Sequence, residues 1–261
     1  VTYPGGKEGA GVWQRIVNLM PPHDVYVELF AGGGAVLRNK EPAPHEYAFD
    51  LDPDALIRLK QWAREAARGA TILNQDALSW LEEFVNDTEL EPPAASWLFY
   101  ADPPYPLSVR RTDRVRYYNE LTDADHVALL GLLKKAGQRG VRVMLSGYRC
   151  ALYDVPLADW YRVDYEAMTR GGVLVPESLW MNFPPPLELR HGYDVVGNNF
   201  RERERIKRKR RRWLANFSRL ENTEREAIFS DLSNYQAQRR NHERKPERRN
   251  ANAEAAPKAK K

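Results

Sequence analysis

At 261 residues and 30.1 kDa the chain is long enough for one large α/β domain or two small ones. Its 43% hydrophobic content, with 7 Trp, 13 Tyr and 8 Phe, supplies a core and excludes wholesale disorder. Mean hydropathy is −0.66, with no apolar run of the roughly 18 residues a membrane span needs, so no membrane segment is expected. Residues 1–7 show no charged-then-apolar signal pattern. The single cysteine, Cys150, excludes an intrachain disulfide framework and a Cys-based zinc cluster. No metal is expected, and the expected compartment is a reducing cytoplasm. The net charge of +4 hides an asymmetry: residues 201–261 hold 20 Lys and Arg against 9 Asp and Glu, a net of +11, while residues 1–200 carry −7. An acidic body with a basic extension points to a polyanion such as nucleic acid; the alternative is a solvated helix and a soluble tail.

In chain order, short β-branched and aromatic runs at 24–30 (DVYVELF), 46–50 (EYAFD), 70–73 (ATIL), 97–101 (WLFYA) and 141–146 (VRVMLS) read as strands. Between them, Asp52 followed by Pro53 opens a helix through Leu56, Leu59 and Trp62 that stops at Gly69. Thr122 and Asp125 form a capping box for a helix whose apolar face is Val127, Leu130 and Leu133, ending near 137–140. Two later runs, 161–167 and 178–183, flank Gly171-Gly172 and suit an antiparallel edge hairpin. The expected fold is a seven-stranded, mainly parallel, Rossmann-like α/β sheet covered on both faces. After Pro184-Pro185-Pro186 the composition changes: 201–220 is a basic helix with Ile206, Trp213, Phe217 and Leu220 on one face. Thr223 and Glu226 open a second helix carrying Ile228, Leu232 and Tyr235, and the stretch from about Arg239 reads as a disordered basic tail. The expected organisation is a catalytic domain at 1–190, a helical extension at 199–238 and a tail at 239–261.

The sharpest chemical signal is Asp102-Pro103-Pro104-Tyr105, directly after the fourth strand. Alone it also fits an ordinary Asp-Pro turn, but ligands of open α/β sheets bind beyond the carboxyl ends of strands. Paired prolines stiffen the turn and fix where the Asp carboxylate and neighbouring carbonyls point, and Tyr offers a face on which a base can stack. A second turn, Glu28-Leu29-Phe30-Ala31-Gly32-Gly33-Gly34, leaves room for a nucleoside against bare backbone. It meets neither the dinucleotide G-x-G-x-x-G spacing nor the phosphate-binding G-x-x-x-x-G-K-[ST] pattern, which disfavours a dehydrogenase and a P-loop enzyme. Asp50 is placed to accept from ribose hydroxyls or to join Asp52 in capping, and Asp76 to accept from an adenine amine or to cap the next helix.

In this order, Tyr3-Pro4-Gly5-Gly6-Lys7, the 28–37 loop, Asp50, Asp76, Asp102–Tyr105, Leu145-Ser146-Gly147-Tyr148 and Glu177-Ser178-Leu179-Trp180-Met181-Asn182-Phe183 resemble the Dam-like class of DNA adenine-N6 methyltransferases, in particular its compact phage and prophage members. The resemblance covers about residues 1–183. It implies S-adenosyl-L-methionine as cofactor, with Tyr3, Gly6, Lys7, Glu28, Phe30, Ala31, Gly32, Gly33, Asp50, Asp76 and Asp102 contributing to its site. It further implies that Asp102 and Tyr105, with Pro103 and Pro104, handle the target adenine. Double-stranded DNA is the implied partner, and the oligomeric state is left open. Leu29 departs from the Pro common in the class. More important, only 25 residues (77–101) separate Asp76 from Asp102, which leaves no room for the target-recognition insertion of larger members.

The substitute is the loop bearing Arg110, Arg111, Arg114, Arg116, Tyr117 and Tyr118, which otherwise is only a solvated loop. Lys207, Arg208 and Arg211 on the basic helix are expected to contact phosphates. A cytosine-C5 mechanism needs a nucleophilic Cys, and Cys150 lies away from the Asp-Pro-Pro-Tyr turn, so it is read as structural. The rival readings are methyl transfer to RNA or to a protein glutamine, whose enzymes more often carry Asn at the first motif position, and a catalytically inactive DNA-binding relative.

Overall fold

The computed structural model describes residues 6–9, 11–87, 89, 93–109, 119–168, 173–190, 193, 195–197 and 199–243. They fall into two compact units, Val1–Ile206 and Lys207–Lys261. In the first, β1 (Val25–Leu29), β2 (His45–Asp50), β3 (Thr71–Asn74), β4 (Trp97–Ala101) and β5 (Arg142–Gly147) run parallel. β6 (Tyr161–Met168) and β7 (Leu174–Met181) form an antiparallel pair, and β7 joins β5 antiparallel. The strand order is β3-β2-β1-β4-β5-β7-β6, the seven-stranded plan expected.

Strand alternation builds two cores from one sheet. On β1, Tyr26 points to one face, with α1 (Val12–Val17), α2 (Ala35–Asn39) and α3 (Pro53–Glu65) packed there through Ile16, Leu37 and Leu59. Val25, Val27 and Leu29 point to the other, against α4 (Ala77–Asn86), α5 (Asp123–Gln138) and α6 (Ala151–Asp154) through Leu81, Leu133 and Tyr153. Both faces of the parallel strands are therefore covered, which explains their continuous apolar runs.

The anticipated caps form. The Asp52 carboxylate accepts from the Asp54 N–H at 2.9 Å, with Pro53 in the first turn. Thr122 Oγ1 accepts from the Asp125 N–H while Asp125 Oδ2 accepts from the Thr122 N–H at 2.8 Å. Several expectations need correction. α3 stops at Glu65 rather than Gly69, because Ala67 takes the left-handed turn at φ 48°. Val127 is 58% exposed; the buried face of α5 is instead His126, Leu129, Leu130, Leu132, Leu133 and Ala136. β3 lies one residue later than 70–73, paired Tyr47↔Thr71 through Asp50↔Asn74. β7 begins at Leu174 rather than 178, since its first half pairs only with β6, and it ends at Met181. There the Asn182 side chain accepts from the Val143 N–H and donates to the Val141 carbonyl, both at 2.8 Å, while its backbone N–H donates to the Val143 carbonyl at 3.2 Å. Gly171 and Gly172 lie outside the described residues.

Helix α7 (Phe200–Phe217) bears the basic run, and α8 (Asn222–Glu243) follows. α8 starts one residue before the expected box: Glu224 accepts from the Glu221 N–H at 3.0 Å. It also continues past 239, where a disordered tail was expected, and residues 244–261 are outside the described set. Phe217 and Phe229 meet edge to face at 5.0 Å. Among the described residues no helix is long and apolar enough to cross a membrane.

Candidate active site

The strand order reverses direction between β1 and β4, so their carboxyl ends open a crevice where connections diverge to opposite faces. The two turns singled out in the sequence leave these adjacent strands, which pair Leu29↔Ala101 at their ends. They line one cleft of about 1580 Å³ with Lys7, Glu28, Asp50, Asp76 and Glu177. Ligand pockets are commonly ~300–1,000 Å³, so the cleft has space for a nucleoside-sized group and a second planar group.

The glycine turn is wound by left-handed backbone at Phe30 (φ 62°), Gly32 (φ 52°) and Gly34 (φ 64°). At Gly34 glycine is required twice over, because a Cβ there would lie 2.3 Å from Leu59 Cδ2. The turn is tied to the end of β2: the Ala31 N–H donates to the Phe49 carbonyl at 2.8 Å and the Gly32 N–H to Asp50 Oδ2 at 2.6 Å. Asp50 Oδ1 accepts from the Asp52 N–H at 2.8 Å. Asp50 thus shapes the loop, while the cap of α3 is Asp52 alone. Burial pushes the Asp50 carboxyl above its ordinary range. Asp76 borders the cleft and also caps α4, its Oδ2 accepting from the Ser79 N–H at 2.8 Å.

Beyond β4 the Asp102 N–H still reaches the Leu29 carbonyl at 3.3 Å. Pro103 and Pro104, having no N–H, cannot continue that ladder, and both face the cleft. Asp102 Oδ1 lies 2.8 Å from Lys7 Nζ, and Lys7 also donates to the Tyr105 hydroxyl at 2.7 Å and to Glu177 Oε2 at 3.3 Å. Lys7 is 4% exposed, Tyr105 6% and Glu177 6%. The Lys7 ammonium therefore meets two carboxylates. Burial lifts the Asp102 carboxyl to about 6; Lys7 opposes this and Glu177 adds to it. Burial by itself would depress Lys7, yet Asp102, Tyr105 and Glu177 together hold it well above the ordinary lysine value, so it stays charged. Glu28, buried and accepting from the Tyr26 hydroxyl at 2.8 Å, is pushed up to about 8 by burial.

The Tyr105 ring, expected to present a stacking face, is largely buried and packs against Tyr148 with centroids 4.3 Å apart. Three partners of this network were quoted in motifs or strands without a role: Glu177, Ser146 and Tyr165. The Tyr165 hydroxyl donates to Glu177 Oε2 at 3.3 Å, and Ser146 Oγ lies 3.0 Å from the Tyr100 hydroxyl. The readable signal was a charged residue inside a strand otherwise destined for the core. Gly6 lies on the cleft wall, whereas Tyr3 is outside the described residues, as are Arg110, Arg111, Arg114, Arg116, Tyr117 and Tyr118. Lys207, Arg208 and Arg211 belong to the second unit, on α7, with Arg208 and Arg211 exposed. Cys150 is a half-buried free thiol preceding α6, pushed up by burial and away from the lining of the cleft. Among the described residues no group of three or more His, Cys, Asp or Glu could hold a metal ion.

No curated protein matches the chain in sequence. Among solved structures, an rRNA methylase from Streptococcus thermophilus is 11% identical, covering 64% of this chain and 92% of its own, with a TM-score of 0.39. A SAM-dependent methyltransferase from Agrobacterium tumefaciens is 13% identical over 67% of this chain and 60% of its own, at 0.41. A Streptococcus mutans protein solved in complex with SAH is 12% identical over 65% and 94%, also at 0.41. Residues 3–90, which carry Lys7, the glycine turn, Asp50 and Asp76, match the family model of the D12 class N6 adenine-specific DNA methyltransferases, the kind of enzyme to which the resemblance of the motifs pointed.

Proposed function

We propose that the chain transfers a methyl group from S-adenosyl-L-methionine to the N6 amine of adenine in double-stranded DNA, in the cytoplasm. One observation carries the reading: the glycine turn with its Asp50 tie and the Lys7-bound Asp102–Tyr105 turn face a single cleft at the reversal point of the sheet. The donor set suits a nucleoside cofactor. Gly32 and Gly33 leave bare backbone on the wall, and the Asp50 and Asp76 carboxylates stand at strand ends where hydroxyl and amine groups need acceptors. Phe30 and Ala31 in the same turn, with Gly6, Lys7, Glu28 and Asp102 around it, complete that site. The bound cofactor supplies an electrophilic methyl group.

The chain's own task is to prepare the acceptor. Adenine's amine is a poor nucleophile because its lone pair is delocalised into the ring. An ionised Asp102 accepting one of its N–H bonds, with a carbonyl of the stiff Pro103-Pro104 segment accepting the other, favours a tetrahedral nitrogen with an available lone pair. With its carboxyl at about 6, Asp102 is a charged acceptor at neutral pH and loses that charge as pH falls below that value. A base inside a duplex cannot reach the cleft, so the adenine is flipped out, with Tyr105 and Tyr148 as the aromatic wall receiving it. Residues 1–190 act as the catalytic domain, and the basic helix contacts phosphates through Lys207, Arg208 and Arg211. Residues 110–116, with Arg110, Arg111, Arg114 and Arg116, take the place of the missing recognition insertion. Asp at the first motif position favours DNA adenine over RNA or a protein glutamine.

The test is expression in a host lacking adenine methylation, followed by sequencing of its DNA for N6-methyladenine. Methyladenine in a defined sequence context is expected with the wild-type chain and not with Asp102→Ala. Unmodified DNA, together with calorimetrically verified cofactor binding, would overturn the assignment of DNA as substrate.

A further inference from the structure

Glu177 enters the cleft from β7, two strands away from the Asp102 turn. A lysine ammonium has three N–H donors. Three groups surround Lys7: Asp102 Oδ1 in an ion pair at 2.8 Å, the Tyr105 hydroxyl accepting at 2.7 Å and Glu177 Oε2 accepting at 3.3 Å. The first two are the ends of the Asp-Pro-Pro-Tyr turn, so the ammonium fastens both at once. A buried ammonium that loses one of its acceptors is left with an unsatisfied donor and is free to turn toward the remaining partners. Glu177 is itself held, since its Oε2 also accepts from the Tyr165 hydroxyl at 3.3 Å.

We propose that Glu177 is a positioning residue: by accepting a hydrogen bond from Lys7 it fixes the ammonium, and through it the Asp102 carboxylate and the Tyr105 hydroxyl. The inference rests on reading Asp102 and Tyr105 as the pair that handles the base. A second consequence is electrostatic. Asp102 is faced by Lys7 from the N-terminal segment, Glu177 and Tyr165 from the β6–β7 pair, Tyr100 from β4, Tyr105 from its own turn, Glu28 from β1 and Tyr153 from α6. Among the groups that move its carboxyl, Lys7 lowers the value and Glu177 raises it. Glu177→Gln deletes the charge but keeps an oxygen that can accept from Lys7; Glu177→Ala deletes both. Gln should therefore lower the Asp102 midpoint while sparing most of the rate, and Ala should release the clamp.

The experiment has two arms. In the first, the Asp102 carboxyl of the DNA-free protein is titrated by 13C NMR, with Asp102→Asn as the assignment control. The Glu177→Gln protein should titrate at lower pH than wild type. In the second, methylation of duplex DNA is followed against pH. Glu177→Ala should lower kcat by about 10- to 100-fold, the range a misplaced reacting group costs, with little change in the KM for DNA. Glu177→Gln should recover most of that loss and move the acid limb to lower pH. An Asp102 midpoint that is the same in wild type and Glu177→Gln overturns the proposal, as does a Glu177→Ala enzyme with wild-type kcat. If the alanine variant does not fold, the glutamine titration decides alone. If wild type shows no DNA methylation, the assigned substrate fails while the first arm still tests Glu177.

Discussion

Replacing Asp102 with Asn separates what this residue costs the fold from what it gives the reaction. The folded carboxyl titrates at about 6, against ~3.9 in an unfolded chain. Between those values the folded state holds more protons than the unfolded one, so stability falls as pH rises. The contribution is whole below about pH 4 and lost once pH passes the folded value. A gap of about two pH units, at 1.36 kcal/mol for each, amounts to about 3 kcal/mol. Asparagine does not titrate, and it leaves Lys7 facing Glu177 as a balanced pair. Glu28, pushed up to about 8, imposes its own decline, but both proteins carry it and it largely cancels. Relative to wild type, the asparagine variant should therefore gain about 3 kcal/mol between pH 4 and pH 7.5. For a body of about 200 residues each kcal/mol moves Tm by ~2–4 °C, so the two melting curves should separate by about 6–12 °C at the higher pH. Methylation by the same variant should drop by about 10²–10³-fold, because a charged acceptor is lost where charge develops. Thermal melts at pH 4.5 and 7.5 are the assay. A Tm difference that is the same at both pH values would refute the claim that Asp102 is held ionised at a cost to the fold.

Three further outcomes are expected. Gly34→Ala forces a Cβ to within 2.3 Å of Leu59 Cδ2 in left-handed backbone. It should cost roughly 1–3 kcal/mol and weaken cofactor binding in calorimetry; wild-type affinity and Tm would show the turn to be adaptable. Tyr105→Ala should slow methylation of a paired adenine more than of a mispaired one, since flipping costs least where pairing is already lost; equal losses would assign Tyr105 to packing alone. Replacing Lys207, Arg208 and Arg211 by Ala should lower DNA affinity for all sequences and reduce the salt slope by about 0.9 for each contact, leaving the methylated sequence unchanged, whereas Arg110→Ala with Arg111→Ala should alter it. Methylation profiles on random-sequence DNA, with binding at two salt concentrations, separate these roles.

What could be read along the chain is what the chain encodes locally. The first five strands were placed within a residue or two because each is a compact apolar run covered on both faces, and the Asp52 and Thr122 caps form because their partners lie two or three residues away. The errors fall where a distant element decides. Leu174–Glu177 contains Pro176 and Glu177 and does not read as a strand, yet it is one because β6 runs past the end of β5 to pair with it. Val127 has the spacing of the buried stripe on α5 but stands exposed, since His126 takes the inner position and bonds the Tyr153 hydroxyl at 2.9 Å.

The candidate site divides in the same way. The cleft-facing turns announce themselves as short motifs because backbone geometry at a crevice needs Gly and Pro at fixed places. Their supports do not. Glu177 lies 170 residues from the lysine it holds, and Asp50 binds Gly32 across 18 residues. A motif can therefore identify the groups that line the cleft, while their charge state depends on neighbours that only the folded sheet brings near. Asp102 shows the consequence. Its sequence context permits an acceptor, but whether it is ionised at neutral pH depends on the balance between burial, Lys7 from the N-terminal segment and Glu177 from β7. A chain that retained Asp102-Pro103-Pro104-Tyr105 but lost Lys7 would keep the motif and bury two carboxylates without a cation. Its Asp102 carboxyl would then be pushed further up by burial and by Glu177, which weakens it as a charged acceptor for an amine.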